Sequence, residues 1–437
     1  MAEPQLAEEV VGLARALIAV DTSNPPGGET PAAELLAAYL ADSGIESELV
    51  GPDPQRLNLI ARIAGNGGPS LMLLGHTDVV PAPAEGWTVP PFEGRVEDGM
   101  LIGRGAVDMK NELAARAVAF ARLARSGRRP AGDVVLVAEA DEERGLSHVG
   151  MSWLVENRPD IRCDLALNEG GGSLFELADG RRVMTVSIGE KQTTALRLRV
   201  LGTGGHASIP TGEANAVLDA ARAVERLIAR QGEPQLVPPL ARALEALGAP
   251  GDPERAVEWV AAAHPLLGAE FVAMTRLTVN PTGLEAGGPP NVVPAHVDVT
   301  CDCRALPGQS EDDIRAHVAA VLGDDISYEL EFTEPHTGGT ESATDTRLFE
   351  ALAVYAAERG GGAFLLPLIS PGFTDSHWIR DAFGTVAYGF APVLGIDQER
   401  YHEAAHACDE AFAIDDLVEM CEFHLTLLSS GFHLARG

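Results

Sequence analysis

At 437 residues the chain is long for one hydrophobic core and comfortable for two domains, and its 46% hydrophobic content is that of a globular protein. A formal charge of −32 argues against nucleic acid or an anionic membrane as a partner, and no apolar run is long enough to cross a bilayer. Met1–Gln5 lacks the basic and apolar regions of a signal peptide, and Cys163, Cys301, Cys303, Cys408 and Cys421 follow no disulfide-scaffold spacing, so a cytoplasmic protein is expected.

In chain order, Glu3 to Val20 reads as an amphipathic helix, with Leu6, Val10, Leu13 and Leu17 at helical spacing. Pro25-Pro26-Gly27-Gly28 breaks it, and Thr30 to Asp42 resumes as helix. Apolar runs at Asn58 to Ile63, Leu71 to Leu74, Val134 to Ala138 and Asp164 to Leu167 read as strands. Helical stretches at Glu112 to Arg125 and Val149 to Glu156 fall between them. That alternation predicts an α/β sheet covered by helices on both faces.

A different rhythm starts near Glu190. Strands are expected at Ala195 to Leu201, Ala273 to Val279, His296 to Arg304 and Ile326 to Phe332, with helices at Ala214 to Arg230 and Glu311 to Leu322. The order β-α-β-β-α-β describes a small ferredoxin-like sandwich. Cys301 and Cys303, one residue apart in a strand, are read as facing opposite ways, unable to share a zinc ion. A Pro- and Ala-rich helical insert occupies about 232–269, and helix–strand alternation returns after His336. The expected layout is therefore an α/β domain over 1–189, a second domain over 190–335, and the rest of the first domain over 336–437.

Candidate ligands stand where strands end. The run Leu71 to Gly75 delivers His76 and then Asp78 on one face, so the carboxylate can take the second ring proton of the histidine. Gly103-Arg104-Gly105 leads to Asp108 just before a helix, without a phosphate-loop pattern. Val134 to Ala140 ends in Asp141-Glu142-Glu143, three adjacent acids whose repulsion a divalent cation would relieve. Another strand ends in Glu169 followed by three glycines. Near the C-terminus stand His402 and His406, either a pair four apart on one helix face or His406 acting alone with the distant acids. Mixed nitrogen and oxygen donors without thiolate suit two zinc ions, with cobalt or manganese as substitutes. Such a pair acidifies water and polarises an amide carbonyl.

These segments together resemble the dinuclear zinc aminoacylase and carboxypeptidase family, which includes acetylornithine deacetylase, succinyl-diaminopimelate desuccinylase and glutamate carboxypeptidase. The resemblance runs from the first helix to the last histidine. It implies a zinc-peptidase-like α/β catalytic domain interrupted by a lid and dimerisation domain, a homodimer, and two Zn2+ per chain. It also implies His76, Asp108, Glu143, Glu169 and His406 as metal ligands, with Asp108 bridging. Glu142 matches the general base and Asp78 the acid that orients His76. His406, rather than His402, is in register with Asp409-Glu410. In the lid, Gly202 to Ser208 resembles the loop whose histidine, here His206, reaches the scissile carbonyl, often in the partner subunit's site. Asn291 and Arg304 match substrate-binding positions, as do Gly372, Thr374 and Asp375 in the Ser370 to Ser376 loop; His377 has no matching role. Gln192 stands where the family usually has glycine. The function implied is hydrolysis of a peptide or N-acyl bond beside a free carboxylate. Hydrolysis of a ureido or carbamoyl amide, or a silent binding role on the same fold, stays open.

Overall fold

The computed structural model describes residues 4–209 and 214–430. Glu3, where the first helix was expected to begin, lies outside them; the helix runs Pro4–Ile18. The chain divides into two compact units, one of Met1–Ile188, Ser342–Leu368 and Thr374–Gly437, the other of Gly189–Glu341 with Ile369–Phe373. The short return segment Ile369–Phe373 thus groups with the second unit, whereas the sequence reading placed all of 336–437 with the first.

The first unit is built on a nine-stranded mixed sheet. Its path runs Ser47–Val50, Asn58–Ile63, Gly132–Glu139, Gly68–His76, Leu165–Asn168, Val386–Gly389, Arg182–Glu190 and Phe364–Ser370, with Leu174–Glu176 beside Arg182–Glu190. The four strands Gly132–Glu139, Gly68–His76, Leu165–Asn168 and Val386–Gly389 are parallel neighbours. Parallel strands are buried on both faces, which explains why these segments read as unbroken apolar runs rather than alternating ones. Met72, Leu74, Val135, Val137 and Ala166 pack on one face with Met151, Leu154 and Ile379. The helix Lys110–Arg125 is buried along nearly its whole length, between the strand Gly68–His76 and the helices Pro4–Ile18 and Ile414–Ser430. In such sheets, chemistry collects at the carboxyl ends of the parallel strands. His76, Glu139 and Asn168 all stand at that end.

The second unit is the expected β-α-β-β-α-β sandwich. Its antiparallel sheet runs Thr278–Glu285, His296–Ala305, Gln192–Leu201 and Tyr328–Phe332. Helices Ala216–Ala229 and Glu311–Leu322 cover one face, closing a core of Leu196, Leu198, Val297, Val299, Ala220, Leu227, Ile314 and Val318. Two readings are corrected here. Cys301 and Cys303 lie on the same buried face of their strand, because side chains two residues apart point the same way. Both thiols are held high by burial, Cys301 up to about 12, and behave as small core hydrophobes. Ala273 and Met274, read as the start of a strand, instead finish the helix Pro265–Met274. A short apolar run does not distinguish the two periodicities. The insert consists of three helices, Pro238–Ala246, Pro253–Ala263 and Pro265–Met274, each with proline in its first turn.

Candidate active site

Within the first unit the strand ends bring five expected ligands together. His76 Nε2 lies 3.0 Å from Asp108 Oδ1 and 3.5 Å from Glu169 Oε2. His406 Nε2 lies 3.2 Å from Asp108 Oδ2 and 3.2 Å from Glu143 Oε2. The two oxygens of Asp108 therefore face different histidines, as a bridging carboxylate must. Two groups of three donors result, His76–Asp108–Glu169 and Asp108–Glu143–His406, each with its ligand atoms within 4.8 Å of one another. Glu142 belongs to neither; its Oε2 is 3.9 Å from His76 Nε2 and its side chain is 10% exposed.

The electrostatics describe a site built for cations. Burial disfavours charge on His76, yet hydrogen bonds to Asp108, Asp78 and Glu169 outweigh it and hold its pKa well above the usual value. Asp108 and Glu143 raise His406 to about 10. Burial lifts the Glu142 carboxyl well above the ordinary range, and the Glu169 charge adds to it; Glu143 is raised by burial as well. Protons thus stand where positive charge is needed, and a divalent ion held by these groups would take their place. The donor set fits two such ions: two imidazoles, three carboxylates, no thiolate. Glu169 Oε1 is buried with no hydrogen-bond partner among the described residues, an acceptor awaiting a Lewis acid.

Each donor is set by its backbone. Met109 precedes the helix Lys110–Arg125, so Asp108 projects from the loop before its first turn. Glu410 fixes that loop, its Oε1 accepting from the backbone N–H groups of Val107 (2.6 Å) and Asp108 (3.1 Å). Its other oxygen accepts from Arg104 Nη1 at 2.6 Å, and Arg104 Nη2 donates to the carbonyl of His406 at 3.1 Å. The Gly103-Arg104-Gly105 loop is therefore a clasp between two ligands. Asp78 contacts His76 and also reaches the Glu142–Glu143 turn. Its backbone carbonyl lies 3.0 Å from His76 Nδ1, while its carboxylate stands 3.6 Å away and accepts from the backbone N–H groups of Glu142 and Glu143. His402 is not a member. The helix Gln398–Ala404 ends before His406, which has φ of 62°, so the two histidines do not share a helix face. His402 instead faces Ser173 and the ring of Phe175.

Of the expected substrate residues in this unit, Thr374 and Asp375 are buried. Asp375 hydrogen-bonds Glu139, and burial lifts its carboxyl to about 7. His377 Nδ1 bonds the Thr374 carbonyl at 2.9 Å, in keeping with a structural role. In the second unit His206 and Asn291 line one cavity of about 640 Å³, with His206 Nδ1 2.8 Å from Ser208 Oγ. Arg304 stands apart from that cavity and grips Asp302, two residues back on the same strand, through Nε and Nη2. Gly372 donates its N–H to Ser370 Oγ.

The profile of peptidase family M20/M25/M40 matches residues 72–430. The chain belongs to that family. Succinyl-diaminopimelate desuccinylase of Stenotrophomonas maltophilia (strain K279a) is 28% identical over 393 residues, 88% of this chain and 89% of the relative. The protein of the same name from Rhodospirillum centenum is 27% identical over 98% of each chain. The fold matches a crystal structure of an M20 family metallo-carboxypeptidase from Sulfolobus solfataricus, with a TM-score of 0.70 and 20% identity, covering 97% of this chain and 99% of that one. Membership makes the chain a dinuclear metal-dependent hydrolase of peptide or N-acyl amino acid bonds. No described helix is long and apolar enough to cross a membrane.

Residues that the sequence reading passed over also serve this centre. Asn24, Arg56, Asp141 and Glu410 are all buried polar groups within it. Asp141 and Glu410 are signalled only by adjacency to Glu142 and His406, and Asn24 and Arg56 carry no signal, because their partners lie far away in the sequence.

Proposed function

We propose that the chain hydrolyses an N-acyl amino acid at the amide beside a free carboxylate, with an N-succinyl amino acid as the favoured substrate class. The carrying observation is the pair of ligand triads sharing Asp108, with Glu142 facing them and belonging to neither. The desuccinylase relatives, similar along nearly the whole chain, support the acyl class.

His76, Asp108 and Glu169 would hold one divalent ion and Asp108, Glu143 and His406 the other. Such ions supply Lewis acidity, lowering the pKa of water toward neutrality and polarising the amide carbonyl. Glu142 takes the proton of the attacking water as the carbon–oxygen bond forms. It then gives that proton to the amine nitrogen as the carbon–nitrogen bond breaks. The His206 imidazole, with Asn291 in the same cavity, donates to the carbonyl oxygen, while Arg304 holds the free carboxylate, for which the planar guanidinium fork is suited. Asp302 already occupies part of that fork, leaving Nη1 for substrate. Zinc is the resident metal in this reading. The working form is a homodimer; Val217, Leu218 and Ile228 of the helix Ala216–Ala229 are 43%, 52% and 58% exposed, an apolar surface suited to a second copy.

The test is hydrolysis of a panel of N-acyl amino acids, dipeptides and ureido acids by zinc-loaded protein, with Glu142→Gln alongside. Turnover is expected on the N-acyl class, and kcat is expected to fall about 10²–10⁴-fold in the variant with metal content unchanged. Turnover confined to dipeptides or ureido acids would overturn the substrate class. Loss of metal in Glu142→Gln would make that residue a ligand instead of the base.

A further inference from the structure

Three acids follow the strand Gly132–Glu139, but they do not point the same way. Glu142 and Glu143 face His76 and His406, while Asp141 turns back into the protein with φ of 69°. That left-handed conformation is unfavourable for a residue with a side chain and persists only where its surroundings hold it. The surroundings are specific. Asp141 Oδ1 accepts from Arg56 Nη2 at 3.1 Å and from Asn24 Nδ2 at 2.9 Å, and Oδ2 accepts from the Ser147 backbone N–H at 2.6 Å. Arg56 is itself anchored on the fully buried Glu29.

Asn24 is the junction. Its side-chain nitrogen has two hydrogens and two acceptors, Asp141 Oδ1 and Asp78 Oδ2, each 2.9 Å away. Asp78 in turn accepts the backbone N–H groups of Glu142 and Glu143, and its carbonyl bonds His76. One amide group thus ties the strand end that carries His76 to the turn that carries Glu142 and Glu143, at both the front and the back of that turn. Without it, two buried carboxylates would face each other with no donor between them. Asn24 is 3% exposed and its backbone N–H bonds the Val79 carbonyl, so it cannot swing away.

We propose that Asn24 is a positioning residue that sets the register between His76 and the Glu142–Glu143 turn. It governs both the donor geometry of the metal site and the placement of the base, while touching no ligand atom itself. The inference rests on the roles given to Glu142 and Glu143 above.

The experiment compares wild type with Asn24→Asp, which keeps the shape but loses both donors, and with Asn24→Gln, which keeps the donors. Metal-free protein is titrated with Co2+, following the visible spectrum, and the melting temperature is recorded. Steady-state kinetics are then measured on whichever panel compound wild type turns over. Asn24→Asp is expected to weaken Co2+ binding about 10–100-fold and alter its spectrum. Its kcat is expected to fall by a similar factor with KM within about threefold, since a displaced base acts on the transition state. Asn24→Gln recovers part of both. Should Asn24→Asp not fold, Asn24→Ser removes the same donors without adding charge and carries the same expectation. A folded Asp or Ser variant with wild-type Co2+ titration and kcat would overturn the proposal. The titration needs no substrate, so it stands even if the panel yields no turnover and the proposed substrate class fails.

Discussion

At the scale of single residues, the site stores positive charge as protons until metal arrives. His406 is raised to about 10, and burial lifts Glu112 and Asp375 to about 7. All three have folded-state values above their unfolded ones, so each keeps a proton in the native metal-free protein at pH values where the unfolded chain has released it. Their contribution to stability is present in full below the unfolded values and is lost as pH rises through about 7 and then about 10. Of the three only His406 is placed to hold an ion, so metal-loaded protein should gain stability over metal-free protein as pH rises toward about 10, where the ion replaces that proton. Lys110 and Lys191, which burial lowers to about 7, act in the opposite sense but alike in both forms. Urea unfolding of both forms at several pH values measures the gap, and parallel profiles would contradict the account. Of the expected ligands, His76, Glu143 and Glu169 stand at or just past the end of an apolar run, where an acid or histidine is conspicuous, while Asp108 and His406 were placed by the family resemblance. Asn24 and Arg56 were not legible, since their worth comes from partners such as Asp78 and Asp141 that only folding brings near.

At the scale of elements, close backbone approach decides where Glu169 stands. A Cβ added to Gly389 would lie 1.9 Å from the Glu169 carbonyl oxygen, a backbone atom that cannot move aside. Gly389→Ala should therefore push the end of the strand Leu165–Asn168 outward, costing about 1–3 kcal/mol and reducing metal content. Gly12 is the contrasting case, within the helix Pro4–Ile18 with open space around it. Gly12→Ala should stabilise by about 0.4–1 kcal/mol. Thermal melts with metal analysis check both, and a tolerated Gly389→Ala would show the strand to be more yielding than described. Most of the elements placed from the sequence lie within a few residues of their expected ranges, the helix Glu311–Leu322 at both ends. Its Ser310 capping box and Gly323 give it definite boundaries. The misread start at Ala273 had no such punctuation: an apolar run flanked by neither cap nor turn fits helix and strand alike.

At the scale of the whole molecule, the two-unit plan was foreseeable from the change of rhythm near Glu190, whereas the order of strands was not. Strand order follows from pairings between distant segments, which local periodicity does not record. Subunit assembly belongs to this scale too. If the exposed Val217, Leu218 and Ile228 seat a second copy, wild type should sediment as a dimer of 45.9 kDa chains. Leu218→Glu with Ile228→Glu should then shift it to the single-chain mass. Wild type sedimenting as a monomer would remove the dimer from the reading.

The strand Val386–Gly389 lies between Leu165–Asn168 and Arg182–Glu190, both of which precede it by the whole of the second unit. During synthesis the ribosome therefore releases the neighbours of a slot long before the strand that fills it. Over that interval the apolar strand Leu165–Asn168 carries a bare hydrogen-bonding edge, the kind that pairs with other nascent chains. His406 also emerges after that slot can close, so one candidate donor triad is encoded early and the other only near the end of translation. A chain stopped short of Val386 holds His76, Asp108 and Glu169, yet its central sheet stays open; the last part of the gene thus completes the sheet and the second group of candidate metal donors together.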